Sequence, residues 1–212
     1  MNPLVSIIIP ILPGDREAEE LLNSLNNIVP ENWEVIVSSP KKIINRAFAL
    51  NEGAKKAKGD FFWFLHGDSR LGQKEIFLLE QSIAKEPKKL HYFKLKFYPD
   101  SFLMNLNSIG ANLRSSLLDC PYGDQSFCIS KDQFDILKGF DANLNLGEDL
   151  YFVWSAKAKG IQLNEIQGYI KTSSRKYKSQ GWLKITVFHH YMFWKLAYNW
   201  LVDRNKKRKT PQ

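Results

Sequence analysis

The 212-residue sequence is 44% hydrophobic and 13% aromatic, which is enough for a real core and suits one domain, or one domain with a short appendage. Its net charge of +8 is uneven, because residues 1–170 hold 19 Lys/Arg against 21 Asp/Glu, whereas residues 171–212 hold 11 Lys/Arg against one Asp. The two cysteines, Cys120 and Cys128, exclude a disulfide framework or a zinc site, and the N-terminus lacks the features of a signal peptide, so a cytoplasmic location is expected.

The first third of the chain predicts alternating strands and helices. Its third strand is the run Phe61–Leu65, five bulky apolar residues that are typical of a strand buried on both faces. The order strand-helix-strand-helix-strand indicates a parallel, doubly wound sheet. The predicted elements are a strand over Val5–Pro10, a helix over 16–28, a strand over Trp33–Val37, a helix over 43–58 and the strand Phe61–Leu65.

The later part of the chain continues this α/β pattern. Between Leu90 and Tyr98 polar and apolar residues alternate, which predicts a half-exposed strand with Tyr92 on its polar side. The other predicted elements are a helix over Gln73–Lys85, a helix near 102–118, a turn-rich acidic loop over Asp119–Gln125, a short strand over Phe127–Ile129, helices over Lys131–Leu137 and 148–159, and a late strand over Ile161–Ile170.

Two groups of acidic residues stand at the boundaries of predicted elements, one after a strand and one at the start of a helix. Gly67-Asp68-Ser69 follows the third strand, and open α/β sheets bind ligands at the carboxyl ends of their strands. A carboxylate there can hold a divalent cation that in turn holds a diphosphate; the alternative is a plain turn. Glu148 and Asp149 open a helix, where their charges also suit the helix dipole.

Several segments, taken in order over residues 5–185, resemble family 2 of the inverting, nucleotide-sugar-dependent glycosyltransferases, and most closely the small arsenosugar-biosynthesis glycosyltransferase-like group. The resemblance implies an α/β fold of the GT-A (Rossmann-like) type: a mostly parallel central sheet flanked by helices, here with a C-terminal aromatic helix. The matching segments are Val5–Pro10, Arg46–Gly53, Ala57–Asp60 with Phe64–Leu71, Pro121–Gln125, Gly139-Phe140, Gly147–Leu150, and Thr172–Arg175 with Gly181-Trp182.

The resemblance also implies residue roles. Asp68 stands at the metal motif of the family and would bind Mg²⁺ or Mn²⁺ against the diphosphate of the donor, which neutralises the charge of the leaving group. His66 occupies the first position of that motif and would touch the metal or the nucleotide. Asp149 matches the catalytic base, which takes the proton of the acceptor hydroxyl during inverting transfer.

Further positions are implied to surround the substrates. Asp124, Gln125 and Glu148 would line the pocket of the donor sugar or of the acceptor, with a turn as the alternative for the first two. The nucleotide would lie near Pro10, Arg46 and Asn51, and Arg175 would neutralise phosphate, with a helix surface and a solvated loop as the alternatives for the two arginines.

One segment departs from the family pattern. The second strand of the family leads into a loop whose aspartate holds the base of the nucleotide, but here Val37 is followed only by Ser38–Lys42, which contains no carboxylate. The choice of base is therefore open, and a catalytically inactive binding protein is an alternative to the enzyme. A nucleotidyltransferase is a further alternative, although its glycine-rich phosphate loop is absent.

The C-terminal segment is aromatic and basic. Residues 182–203 predict an amphipathic helix after a glycosyltransferase domain over 1–181, and residues 204–212 form a basic tail. Its polar positions argue against a spanning helix and favour a helix on an anionic membrane surface, hence a peripheral location on the cytoplasmic face. A helix packed on the body is the alternative. Nucleic acid is the less favoured polyanion, and His189 or His190 as a metal ligand is less favoured than a structural histidine.

Overall fold

The computed structural model describes residues 4–11, 16–39 and 45–209, with side chains described as far as Arg204. The chain divides into two compact units, Met1–Ser173 and Ser174–Gln212. Residues 43 and 44, with which the second predicted helix begins, lie outside the described residues, as does most of the loop over Ser38–Lys42.

The first unit is built on one six-stranded sheet in the order β2-β1-β3-β5-β4-β6. Neighbouring strands are parallel except at β5, which runs antiparallel to both β3 and β4. This confirms the predicted α/β class with a mostly parallel sheet. The strands are β1 (Val5–Pro10), β2 (Glu34–Ser38), β3 (Phe61–Phe64), β4 (Leu90–Tyr98), β5 (Phe127–Ser130) and β6 (Leu163–Ser173).

In the described residues, six helices and one short turn connect these strands. The helices are α1 (Arg16–Leu25), α2 (Arg46–Lys56), α3 (Gln73–Lys85), α4 (Phe102–Leu118), α5 (Lys131–Leu137) and α6 (Glu148–Ala158), and a 3-10 turn spans Gly123–Gln125. Helix α1 ends three residues before the predicted boundary, in a turn at Asn26 and Asn27. Helix α2 is capped by Asn45, whose side-chain oxygen accepts the Phe48 N–H.

The sheet separates two apolar layers, and β3 contributes to both. Phe62 and Phe64 pack into the layer that contains α2, α5 and α6, whereas Phe61, Trp63 and Leu65 pack into the layer that contains α1 and α3. All five side chains are buried, as the apolar run predicts. Burial of side chains of this size stabilises the fold by about 1.5–3 kcal/mol each. The loop that follows β3 therefore begins at a firmly packed strand.

The pairing of β4 explains a prediction that was wrong. Strand β5 meets β4 only at His91, and the backbone of Leu95 is instead bonded by the side chain of Asn112, which donates to the carbonyl at 3.1 Å and accepts the N–H at 2.8 Å. Helix α4 therefore packs beside β4, where a further strand would otherwise pair. Tyr92, expected on the exposed side, is buried, and its hydroxyl donates to the Ser115 carbonyl.

The last strand is longer than predicted at its carboxyl end. Strand β6 pairs with β4 up to the pair Tyr98–Ser173, three residues beyond the predicted end at Ile170. The register shifts between Phe93 and Lys94, and the bulge contains Gly168, where an added Cβ would lie 2.8 Å from Leu78 Cδ1. The extension carries Thr172 and Ser173 to the carboxyl edge of the sheet.

The second unit contains two helices, α7 (Arg175–Gln180) and α8 (Trp182–Lys209), separated by Gly181 with φ +88°. Helix α7 was not predicted. Helix α8 continues six residues past the predicted boundary at 203, into the basic tail. Within the described ranges, no helix has the combination of length and apolar character required to cross a membrane.

Candidate active site

The candidate residues converge because of the sheet topology. Strand β3 ends at the carboxyl edge and leads into the loop with His66 and Asp68. Because β5 is antiparallel, the loop that precedes it, with Asp124, reaches the same edge. Thr172 lies at the end of β6 on this edge. This is the edge at which open α/β sheets bind ligands.

Asp68 is held by the end of β6. Its Oδ2 accepts the hydroxyl of Thr172 at 3.1 Å. Burial raises the pKa of Asp68, the hydrogen bonds from Thr172 and from the Ser173 backbone oppose this shift, and the charge of Glu17 adds to it. Asp68 Oδ1 lies 3.9 Å from His66 Nδ1, which is too far for a hydrogen bond. The two side chains therefore face each other across a gap.

His66 is a neutral imidazole near pH 7. Desolvation, followed by the charge of Arg46, lowers its pKa well below the usual value. Its Nε2 is buried without a hydrogen-bond partner among the described residues. A neutral ring nitrogen is a suitable ligand for a metal or a suitable partner for a nucleotide, so both predicted roles of His66 remain chemically open.

Asp149 is oriented by two backbone N–H groups. Gly123 donates to its Oδ2 at 2.8 Å, and Leu150 donates to its Oδ1 at 2.8 Å. It lies in the first turn of α6, where the helix dipole stabilises negative charge. A carboxylate held by two hydrogen bonds has a defined direction, as a general base requires.

Glu148 is buried beside this carboxylate and forms an ion pair with Arg46, with 3.4 Å between Oε1 and Nε. Burial raises the pKa of Glu148, the charge of Arg46 lowers it, and the charge of Asp149 raises it. Arg46 lies at the start of α2, so this pair joins the first turns of α2 and α6.

Asp124 is influenced by both predicted parts of the site, the metal motif with Asp68 and the predicted base Asp149. Burial raises its pKa to about 6; the charges of Asp149 and Asp68 also raise it, whereas those of Arg114 and Arg46 lower it. Its Oδ1 is buried without a hydrogen-bond partner in the described part of the chain. The charges of Asp68 and Asp149 both act on Asp124, which is consistent with the approach of their segments at the carboxyl edge.

Gln125 does not line this region as predicted. It is fully buried, its Nε2 donates to the Phe93 carbonyl at 3.0 Å, and its Oε1 accepts the Ser115 hydroxyl at 2.6 Å and the Tyr122 N–H at 3.2 Å. These bonds engage both the nitrogen and the oxygen of the side-chain amide. Gln125 therefore anchors the 3-10 turn to β4 and α4.

Asn51, Pro10 and Arg175 were also predicted to contact the donor. The Asn51 side chain donates to the Phe140 carbonyl at 2.7 Å and accepts the Phe140 N–H at 2.9 Å, so it clamps the chain before α6. Pro10 ends β1 opposite Ser38. Arg175 begins α7 in the second unit. Their predicted contacts with the donor stay predictions.

Sequence reasoning missed the central position of Gly123. A Cβ at this residue would collide with the Arg46 guanidinium and lie 3.2 Å from His66 Nε2. The signal was a glycine beside an aspartate within the segment Pro121–Gln125. Arg114 was also missed: its guanidinium stacks 3.4 Å from the centre of the Tyr122 ring, and its Nε donates to the Cys120 carbonyl.

The described side chains offer few ligands for a divalent cation. Among the described residues no three His, Cys, Asp or Glu side chains are grouped to hold a metal. His66 and Asp68 offer two ligands that face each other without a hydrogen bond between them. Mg²⁺ in phosphate sites is commonly held by one or two carboxylates plus phosphate oxygens and water. Of the two side chains Asp68 offers such a carboxylate, and a bound diphosphate would have to supply further ligands.

No protein-family model and no curated protein matches the sequence significantly. Solved structures define the class of the fold, which is that of the GT-A glycosyltransferases. S. aureus TarS matches with a TM-score of 0.62 and 16% identity over 85% of this chain and 38% of TarS. A 1–349 form of TarS in complex with UDP-GlcNAc matches with a TM-score of 0.61 and 16% identity over 80% of this chain and 58% of that chain.

The same form of TarS in complex with UDP has a TM-score of 0.59 and 17% identity over 80% of this chain and 60% of that chain. This chain thus spans 38% to 60% of the length of these structures. At such identity the similarity establishes the fold. The narrower resemblance to the arsenosugar-biosynthesis group stays a prediction.

Proposed function

We propose that the protein transfers a sugar from a nucleotide-sugar donor to an acceptor hydroxyl with inversion at the anomeric carbon. The observation that carries this proposal is the carboxylate of Asp149, which two N–H groups fix at the ligand-binding edge of a GT-A sheet. The TarS complexes with UDP-GlcNAc and UDP support a nucleotide sugar as the donor class.

In this proposal Asp149 acts as the general base. It takes the proton of the acceptor hydroxyl while the hydroxyl oxygen forms a bond to the anomeric carbon from the face opposite the diphosphate. The bond from that carbon to the phosphate oxygen breaks, and the electron pair leaves with the nucleoside diphosphate. A single displacement of this kind needs one correctly placed carboxylate and no covalent intermediate.

The diphosphate would lie against Asp68 and His66, which would hold Mg²⁺ or Mn²⁺. Such an ion supplies charge neutralisation to the departing diphosphate. Arg46 adds a fixed positive charge beside His66, as its effect on the pKa of that residue indicates. The ion pair with Glu148 already holds the Arg46 guanidinium in this position, so the group would not have to reorganise during the reaction.

The acceptor side would be formed by Asp124, whose Oδ1 is buried without a partner among the described residues and would accept a hydrogen bond from a hydroxyl group, and by Glu148, the ion-pair partner of Arg46. A small molecule and a lipid-linked molecule both offer such hydroxyls. For a lipid-linked acceptor the reaction would take place at the cytoplasmic face of a membrane.

A catalytically inactive relative that binds a nucleotide sugar is the second candidate. The observation that favours it lies in the sequence: the segment Ser38–Lys42 has no carboxylate to hold the nucleotide base. The two candidates share the donor site and differ only in turnover.

A panel of UDP-, GDP-, CMP- and dTDP-sugars, each with and without Mn²⁺, tests the donor site by thermal shift. We expect one class of donor to raise the melting temperature, and more strongly with Mn²⁺, because binding to the folded state stabilises it. If no donor produces a shift in either condition, both candidates are wrong.

Asp149→Asn separates the candidates. The amide cannot accept the proton, so we expect loss of transfer and of donor hydrolysis, with donor affinity within about threefold of that of the unchanged protein, a difference of about 0.7 kcal/mol. Donor release followed by chromatography gives turnover, and calorimetry with the nucleoside diphosphate gives affinity. Unchanged turnover would remove Asp149 from the role of base, and absence of turnover before substitution would favour the inactive relative.

A further inference from the structure

Helix α8 carries a narrow line of exposed apolar and aromatic side chains. Their spacings are four, four, three, four and three residues, and at 100° per residue all six lie within about 80° of the helix circumference. Their exposed fractions range from 56% to 68%. We call this line the α8 stripe; it consists of Leu183, Val187, Tyr191, Trp194, Tyr198 and Leu201.

The α8 stripe is bordered by basic side chains. Lys184 and Lys195 lie along one side, and Lys195 Nζ is 5.9 Å from the centre of the Tyr191 ring. Arg204 lies on the other side near the end of the stripe, together with His190, and all four side chains are exposed. Asp203 is the single acidic residue in the sequence of α8. The surface is thus apolar in the middle and cationic at its borders.

We infer that the α8 stripe lies on an anionic lipid surface, with the helix axis parallel to the bilayer. At 1.5 Å per residue the stripe is about 27 Å long, and its side chains would enter the boundary between headgroups and acyl chains. The lysines on one border of the stripe and Arg204 on the other have long side chains that would reach lipid phosphates.

The identity of the side chains favours lipid over a second copy of the chain. A helical dimer seam is typically aliphatic, whereas the centre of the α8 stripe is Tyr191, Trp194 and Tyr198. Their rings are apolar and their O–H or N–H groups need polar partners, which headgroups and water supply at a membrane interface. In a dimer of two such stripes these groups would be buried against each other, and the bordering positive charges would repel.

The test is binding of the full-length protein to vesicles, with no assay of transfer, so its result does not depend on the proposed reaction. Vesicles of phosphatidylcholine with about 30% phosphatidylglycerol are compared with pure phosphatidylcholine by co-sedimentation. We expect binding to the anionic vesicles, at least tenfold weaker binding to the neutral ones, and weakening at high salt because screening reduces the attraction.

Trp194→Glu is the decisive variant, since it places a negative charge at the centre of the stripe. We expect at least tenfold weaker partition into anionic vesicles. Phe77→Glu is the matched control, because Phe77 is an apolar side chain of α3 with a similar exposed fraction, 56%. We expect it to bind vesicles as the unchanged protein does. Circular dichroism and a melting curve verify that both variants are folded.

Several outcomes would overturn the inference. These are no binding of the unchanged protein to anionic vesicles, equal loss in both variants, or full binding of Trp194→Glu. Sedimentation equilibrium gives the alternative occupant: a dimer that dissociates in Trp194→Glu, without vesicle binding, would assign the stripe to a second copy. Salt-dependent binding to a duplex oligonucleotide, again without vesicle binding, would assign the basic borders to nucleic acid.

Discussion

Gly123→Ala tests whether the 3-10 turn positions the proposed base. The added methyl group would occupy the space of the Arg46 guanidinium and contact His66 Nε2, so either Arg46 or the turn must move. Movement of the turn lengthens the 2.8 Å bond from the Gly123 N–H to Asp149 Oδ2. A hydrogen bond to a charged group contributes about 1.5–3 kcal/mol, which corresponds to about a 10- to 100-fold loss of kcat.

The assay measures kcat and KM for release of the nucleoside diphosphate, with the donor that gives the largest thermal shift. We also expect a loss of stability of about 1–3 kcal/mol from overpacking, measured by urea unfolding. Gly110→Ala is the control, because a Cβ at that position of α4 meets no atom within 4 Å. It should keep kcat and should not be destabilised, since alanine favours the helix.

Arg46→Ala in the Gly123→Ala background shows whether the defect arises from the clash with the Arg46 side chain or from the turn itself. If the clash with Arg46 is the origin of the defect, the effects of the two substitutions on kcat will be far from additive. A Gly123→Ala protein that is folded and retains the kcat of the unchanged protein would refute the positioning role of the turn.

Two further predictions concern the dependence of stability on pH, and they have opposite signs. The pKa of Asp124 is raised to about 6, so its favourable contribution is complete below 3.8 and is lost as the pH rises through 6. Asp124→Asn should therefore gain up to about 3 kcal/mol in the free energy of unfolding at pH 7.5 relative to pH 4; equal effects at both values would contradict the shift. Burial lowers the pKa of His91 to about 4, so its contribution is present above 6.5 and is lost as the pH falls to 4. His91→Gln should reduce the loss of stability between pH 6.5 and 4 by about 3 kcal/mol, measured by urea unfolding, and an unchanged slope would show that His91 does not titrate there.

The elements that the sequence predicted well are those with a strong local pattern. The run Phe61–Leu65 indicated a strand buried on both faces, and the boundaries of α3 and β4 agree with the prediction to the residue. Local patterns identify these elements because the spacing of their apolar residues follows the period of a helix or a strand, or forms a short uninterrupted run. Asp68 was singled out from local context, a strand tip, whereas the role of Asp149 was implied by the family resemblance.

The remaining features depend on contacts between distant residues. Because β5 meets β4 only at His91, the Phe93 carbonyl and the backbone of Leu95 need other partners. The side chains of Gln125 and Asn112 are these partners. Gln125 is therefore buried, although the sequence analysis expected it to line a pocket. No local pattern predicts that a side chain will replace a missing strand. For the same reason the contact of Gly123 with Arg46, 77 residues earlier in the chain, could not be foreseen.

The reversed direction of β5 has a practical consequence for engineering this chain. Since Asp68, Asp124 and Thr172 lie at the carboxyl edge of the sheet, the turns at the opposite edge are far from the proposed chemistry. Two of these are the turn around Pro87, between α3 and β4, and the turn at Gly160, between α6 and β6. Gly160 has a φ of +80° and no neighbouring atom within 4 Å of an added Cβ, so the space beside it is open. A fluorescent label or a fused domain inserted there should leave the substrate edge free, whereas an insertion between α4 and β5 would pass directly through it.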